Sequence, residues 1–156
     1  MAIERTLILI KPDAVGRGLI GEVMGRFERG GLKIIGLKLM RMDGELVVRH
    51  YDKLVREKFF KNLKTFMTSG PLVAMAVEGL HAISLCRKLC GVTNCLEAAP
   101  GTIRGDFGLS KCMNLVHASD ESENAGKELS LFFTDGELFE YERPDQASMF
   151  SDDDIA

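Results

Sequence analysis

Apolar positions along the chain fall into two rhythms, short unbroken runs and longer segments spaced three and four apart, and the two alternate. Thr6-Leu7-Ile8-Leu9-Ile10 is a run of strand length, cut off by Lys11-Pro12-Asp13. Proline removes a backbone donor and drives the preceding residue out of helical space, so this predicts a central strand ending in a turn. Leu19, Ile20, Val23, Met24 and Phe27 then repeat at helical spacing, and Gly30-Gly31 closes that helix. A second strand is expected over residues 32–42. Residues 46–66, with Tyr51 and Phe59 among them, are rich in helix formers and predict two helices broken near 56–58. After the Ser69-Gly70-Pro71 turn, residues 72–77 read as a third strand ended at Gly79, and residues 81–89 as a helix closed by Gly91.

Residues 92–101 hold Pro100 and show no periodicity, a stretch too long for a mere connection. Leu115-Val116-His117 predicts a short fourth strand, and Asp120 or Ser122 is placed to cap a helix over about residues 122–133. From Asp135 the chain reads as a polar tail. Its acidic end, Asp152-Asp153-Asp154, is expected to be disordered or to dock on a neighbouring subunit. The order of elements fits an α+β fold of the ferredoxin-like (split βαβ) kind, a four-stranded antiparallel sheet with helices on one face. We expect one domain over residues 1–141 and a polar, acidic tail over 142–156.

Composition narrows the classes. A chain of 156 residues, 46% hydrophobic and 28% charged, can bury a core without disulfides or a structural metal. No apolar stretch approaches the roughly eighteen residues that cross a bilayer, and Met1-Ala2-Ile3-Glu4-Arg5 runs straight into a strand with no leader pattern. A cytoplasmic protein is the expectation. The net charge of −3 argues against a protein built to grip nucleic-acid backbone. Cys86, Cys90, Cys95 and Cys112 form no C-x-x-C pair, and Cys86 and Cys90 share a helix face, so reduced, mostly buried thiols are expected rather than a metal site.

Candidate chemistry centres on Asn114-Leu115-Val116-His117-Ala118-Ser119-Asp120, where one histidine ends an apolar run among small polar groups. An imidazole that titrates near neutrality keeps a free ring nitrogen at physiological pH, able to attack phosphorus without a separate base. Cations suited to phosphate are present in Lys11, Arg87 and Arg104. Gly16-Arg17-Gly18-Leu19-Ile20-Gly21 matches G-x-G-x-x-G, but five residues separate it from the strand where a dinucleotide-binding turn has almost none, and no phosphate-binding P-loop motif occurs. Any phosphate here is held by side chains.

Taken together, these segments resemble the nucleoside diphosphate kinase family over residues 3–141. The matching pieces are Glu4-Arg5-Thr6, Lys11-Pro12-Asp13, Arg17-Gly18-Leu19-Ile20-Gly21-Glu22, His50-Tyr51, Phe59-Phe60, Ser69-Gly70-Pro71, Gly91-Val92-Thr93-Asn94, the run from Pro100 to Phe107, and the block from Asn114 to Asp120. The resemblance implies reversible, ping-pong transfer of the γ-phosphoryl group from a nucleoside triphosphate such as ATP to a diphosphate, through phosphorylated His117. It implies that Lys11, Tyr51, Arg87, Thr93, Arg104 and Asn114 surround the phosphates and sugar, and that Phe59 stacks on the base. Glu128 would bond the second imidazole nitrogen, Ser119 would bond close by, and Asp120 would help hold Mg²⁺ through water, the ion being carried mainly by substrate phosphates. Nucleoside di- and triphosphates are the implied partners, together with a homo-oligomer, a hexamer or alternatively a tetramer.

The chain departs from the family pattern at four places. Lys111 stands where an aliphatic residue usually closes the far side of the base, and Cys112-Met113 replaces Gly-Arg. Cys95 and Lys58 stand where prolines usually stiffen the chain, and some loss of stability is expected from both. Two other functions compete. An RNA-recognition module shares the topology but needs aromatic strands and a basic surface, which this sequence lacks. A catalytically impaired relative with a regulatory or structural role would have to explain why His117, Lys11, Arg104, Asn114 and Glu128 are all present.

Overall fold

The computed structural model describes residues 3–155. Met1 and Ala2, read above as leading into the first strand, lie outside the described residues. A four-stranded sheet has the order β2-β3-β1-β4, formed by β1 (Ile3–Ile10), β2 (Lys33–Met40), β3 (Leu72–Leu80) and β4 (Val116–Ala118). β3 pairs antiparallel with both β1 and β2, and β4 pairs antiparallel with the other side of β1. This is the split βαβ topology that the order of elements implied.

The helices are not confined to one face. Leu7, Ile8, Leu9 and Ile10 are all fully buried, and successive strand residues point to opposite faces, so both faces of the central strand need cover. On one side Ile8, Ile10, Val73, Met75 and Val77 pack with Val23 and Phe27 of α2 (Ile20–Arg29) and Ala82 and Cys86 of α5 (Ala82–Cys90). On the other, Leu7, Leu9, Ala74 and Ala76 pack with Val47 of α3 (Gly44–His50), Phe60 and Met67 of α4 (Phe60–Met67), and Leu129 and Phe132 of α7 (Ser122–Phe132). The expected break between the first two of these holds, with an added 3₁₀ turn at Asp52–Leu54.

Other local expectations change. Lys11-Pro12-Asp13 opens a short helix, α1 (Pro12–Gly16), because proline at the first helical position has no donor to waste. β3 runs through Gly79 to Leu80. Gly79 pairs with Glu4, and a Cβ there would come within 2.9 Å of Leu32, so the glycine permits close packing and does not end the strand. A further short helix, α6 (Ile103–Phe107), follows the long loop, its first turn capped by Thr102 Oγ1 accepting from the Gly105 amide at 3.0 Å. Neither Asp120 nor Ser122 caps α7: Glu121 occupies the cap position, and Asp120 instead accepts from the Asn124 side chain at 2.7 Å.

The tail is not simply a polar extension. The Phe139 amide donates to Ile35 O at 2.8 Å, the Tyr141 hydroxyl to Ile34 O at 2.7 Å, and Arg143 to Leu32 O at 3.1 Å. It therefore straps the start of β2, crossing at Gly36, where a Cβ would meet Leu138 at 2.8 Å. Asp152–Ile155 forms a final turn of helix, α8. No helix among the described residues is long and apolar enough to cross a membrane.

Candidate active site

β4 is only three residues long, and its middle residue is His117. Alternation buries Val116 and Ala118 and leaves the imidazole partly open, at the wall of a cavity of about 840 Å³. That is ample for a nucleotide. Lys11, Tyr51, Phe59, Arg87, Thr93, Arg104, Asn114, Asp120 and Glu128 line the same cavity as His117, so the structure brings together every residue singled out from the sequence except Ser119. Ser119 is buried and reaches the site through Glu128.

The histidine is held from one side. Nε2 lies 3.0 Å from Glu128 Oε2, and the Ser119 hydroxyl donates to the same oxygen at 2.5 Å. A carboxylate only accepts, so the network assigns the ring proton to Nε2. Nδ1 then carries the lone pair, and it has no hydrogen-bond partner among the described residues. Glu128 belongs to α7, which packs on β1 beside β4, and this explains how a residue eleven positions away meets the imidazole.

A second network ties the phosphate-type cations to β4. Lys11 is buried and donates to Asn114 Oδ1 at 2.7 Å, while the Asn114 amide group donates to Thr93 O and Lys111 O, both at 3.1 Å. One side chain thus fixes the end of β1, the long loop and the turn before β4. Burial, followed by the Arg104 charge, pulls the Lys11 ammonium down to about 8. Arg104 is also buried, and burial lowers its pKa. Its guanidinium donates to three backbone carbonyls: Asn114 O at 3.1 Å, Gly91 O at 2.8 Å and Val116 O at 2.5 Å. Three of five donors are spent on the fold, and two remain on a residue that lines the cavity. Arg87 is exposed and reaches Ala118 O at 3.4 Å.

Leu115, between Asn114 and β4, has φ +70°, a left-handed conformation uncommon for a residue with a Cβ. It is held there by Lys11 N donating to Leu115 O at 2.8 Å and by the Leu115 amide donating to Asp13 Oδ2 at 3.1 Å. Asp13 was not singled out as a site residue, although it sits in the Lys11-Pro12-Asp13 segment. Nor was His50, which is buried with neither nitrogen partnered among the described residues, its ring 4.6 Å from that of His117. Its adjacency to Tyr51 was the available signal. The buried Tyr51 hydroxyl likewise has no partner among the described residues, and burial raises its pKa.

Phe59 stands half exposed at the cavity wall, with Leu63 and Phe66 also lining it. An exposed aromatic ring, a row of cations and a nucleophilic nitrogen in one cavity of this size define a phosphotransferase that works on nucleotides. The comparisons agree. Residues 4–138 match the family model described as nucleoside diphosphate kinase. A nucleoside diphosphate kinase of Archaeoglobus fulgidus is 52% identical over 143 residues, covering 92% of this chain and 95% of its own. A halophilic nucleoside diphosphate kinase from Halobacterium salinarum, solved in complex with CDP, superposes with TM-score 0.93 at 44% identity, covering 96% of this chain and 100% of its own. A Borrelia burgdorferi nucleoside-diphosphate kinase, solved as a transition-state mimic with vanadate and ADP, gives 0.88 at 39% identity, covering 94% and 96%. The chain belongs to the nucleoside diphosphate kinase family.

Proposed function

We propose that this chain passes the γ-phosphoryl group of a nucleoside triphosphate to a nucleoside diphosphate by way of Nδ1 of His117. The observation that carries the reading is the one-sided grip on the imidazole, Nε2 against Glu128 and Nδ1 unpartnered in the cavity. The Nδ1 lone pair forms the N–P bond as the bond from γ-phosphorus to the bridging oxygen breaks, and the diphosphate leaves. The ring retains its Nε2 proton and gains positive character, which the Glu128 carboxylate offsets. In the second half, a terminal oxygen of the incoming diphosphate attacks phosphorus and the N–P bond returns its electrons to Nδ1. No proton needs to move in either direction, which suits a reversible exchange.

The supporting side chains divide the work. Lys11 and Arg104, fixed from behind by Asn114 and by backbone carbonyls, present charge to the phosphates with little left to reorganise. Arg87 and Thr93 add further contacts, and the unpartnered Tyr51 hydroxyl supplies a donor near the reacting centre. Phe59 takes the base by stacking, which every base tolerates. Asp120, exposed at the cavity with its pKa lowered mainly by the Asn124 amide, is a hard oxygen donor that fits Mg²⁺ through water. Bound on the substrate phosphates, the ion would spread their negative charge.

Asn114 is anchored and β4 is formed despite Cys112-Met113, which favours the active enzyme over an impaired relative. Four free cysteines, three of them buried, suit a cytoplasmic setting. Exposed apolar groups on β2 and the long loop, among them Leu39 and Leu96, support a homo-oligomer, with a hexamer as our reading and a tetramer as its alternative.

Intact-protein mass after mixing with ATP and Mg²⁺, under neutral conditions, tests the relay. One added phosphoryl group is expected on the native chain, absent from His117→Ala and removed by excess GDP. An adduct that survives in His117→Ala would place the nucleophile elsewhere.

A further inference from the structure

Broad tolerance of the base does not mean indifference to it. The turn that leads to β4 carries an ammonium group into the nucleotide cavity at Lys111, whose side chain is exposed and has no acidic partner among the described residues. Its backbone is not loose. Lys111 O accepts from Asn114 at 3.1 Å, and the next two amides, of Cys112 and Met113, both donate to Ser110 Oγ at 3.1 Å. The side chain that holds Lys111 is therefore the one that holds Lys11 in the phosphate site. A nucleotide gripped by Lys11 sets its base at a fixed reach from Lys111.

We propose that Lys111 reaches the edge of a base stacked on Phe59 and biases the site toward bases that present a carbonyl oxygen there, hypoxanthine, guanine, uracil and thymine, over adenine and cytosine. This rests on the nucleotide reading of the cavity given above. An ammonium has three donors and no acceptor, so it distinguishes the two kinds of edge by sign. Guanine offers O6 and N7, and thymine and uracil offer O4, all acceptors. Adenine keeps N7 but, like cytosine, places an amino group where the others place the carbonyl oxygen, which repels the charge and removes one acceptor. Asn62, which also lines the cavity, both donates and accepts and so favours neither class. Because Lys111 is solvent-exposed, the bias is modest, about three- to tenfold.

Pairs that differ mainly by the carbonyl-for-amino exchange isolate the effect: IDP against ADP, and UDP against CDP. The measurement is the second-order rate at which each discharges the phosphorylated enzyme, for native protein, Lys111→Val and Lys111→Arg. Ratios are taken within each variant, so any general loss cancels. The native enzyme is expected to favour IDP and UDP about three- to tenfold, Lys111→Arg to keep the sign, and Lys111→Val to bring both ratios near one. Equal ratios in native and Lys111→Val, or a native preference for ADP and CDP, would overturn the proposal. If no nucleotide phosphorylates the protein, the relay through His117 fails separately. Calorimetric affinities for the same four diphosphates then decide the base preference by the same criterion.

Discussion

The ring of His50 stands edge-on to that of His117, with centroids 4.6 Å apart and planes at 79°. Tyr51 and Phe132 close around it at 4.4 and 5.3 Å, and water has no route to its nitrogens. Burial, then the charges of His117 and Lys11, holds its pKa down to about 2. The imidazole we propose as the nucleophile therefore leans on a neutral ring, which keeps a second positive charge away from it.

That arrangement makes the fold sensitive to mild acid. The folded pKa of His50 lies below the unfolded value of about 6.5, so the unfolded chain takes up a proton that the folded chain refuses. Its contribution to stability is complete above pH 6.5 and is lost as the pH falls below it. His50→Phe fills the same space without a titrating group. Urea unfolding at pH 7 and pH 4.5 should show the native protein losing on the order of 2 kcal/mol more than the variant. Equal losses would show that His50 is protonated in the folded state.

Lys11 titrates in the opposite sense for function. With its pKa lowered to about 8, a substantial part of the free enzyme's Lys11 is uncharged at pH 8. Bound phosphates favour the charged form, so binding ADP near pH 8 should take up about half a proton per site. Calorimetry in two buffers of different ionisation enthalpy measures this directly. The same pKa predicts that kcat/KM falls as the pH rises through about 8. Binding without proton uptake would mean that Lys11 is already fully charged.

Arg104 and Arg87 should separate in a lysine replacement. Arg104 spans three carbonyls, one at the end of α5 and one on each side of Leu115, and a lysine cannot reproduce that planar fork. Arg104→Lys should cost about 3 kcal/mol of stability as well as activity. Arg87 makes one long bond at the surface, so Arg87→Lys should change stability by less than about 0.5 kcal/mol and act on KM. Urea midpoints for the two variants, read beside their steady-state constants, check the contrast. Similar destabilisation by both would refute the structural role given to Arg104.

The histidine on its short strand was legible in the sequence because an apolar run beside small polar residues has a period of its own. So were the cations, though only as candidates. The second job of Arg104 was not legible, since its carbonyl partners lie 10 to 13 residues away and carry no side-chain signature. His50 was hidden for a related reason: a buried histidine without partners looks, in sequence, like any histidine ending a helix. The two-sided burial of the sheet was visible in principle, because Leu7 to Ile10 is continuous rather than alternating. The strap over β2 depends on contacts about a hundred residues apart, such as Tyr141 to Ile34, which no local pattern encodes.

The strand order also sets a timetable. β1, β2 and β3 are complete by Leu80, whereas β4, an edge strand, comes last in the chain, and Lys11 lies 103 positions before the Asn114 that anchors it. A chain still emerging from the ribosome can therefore assemble three strands of its sheet before His117 exists. On the proposed relay, chemistry waits for the pairing of β4 with the edge of β1, so a half-made enzyme would have no means of stripping phosphate from the nucleotides that fuel its own synthesis.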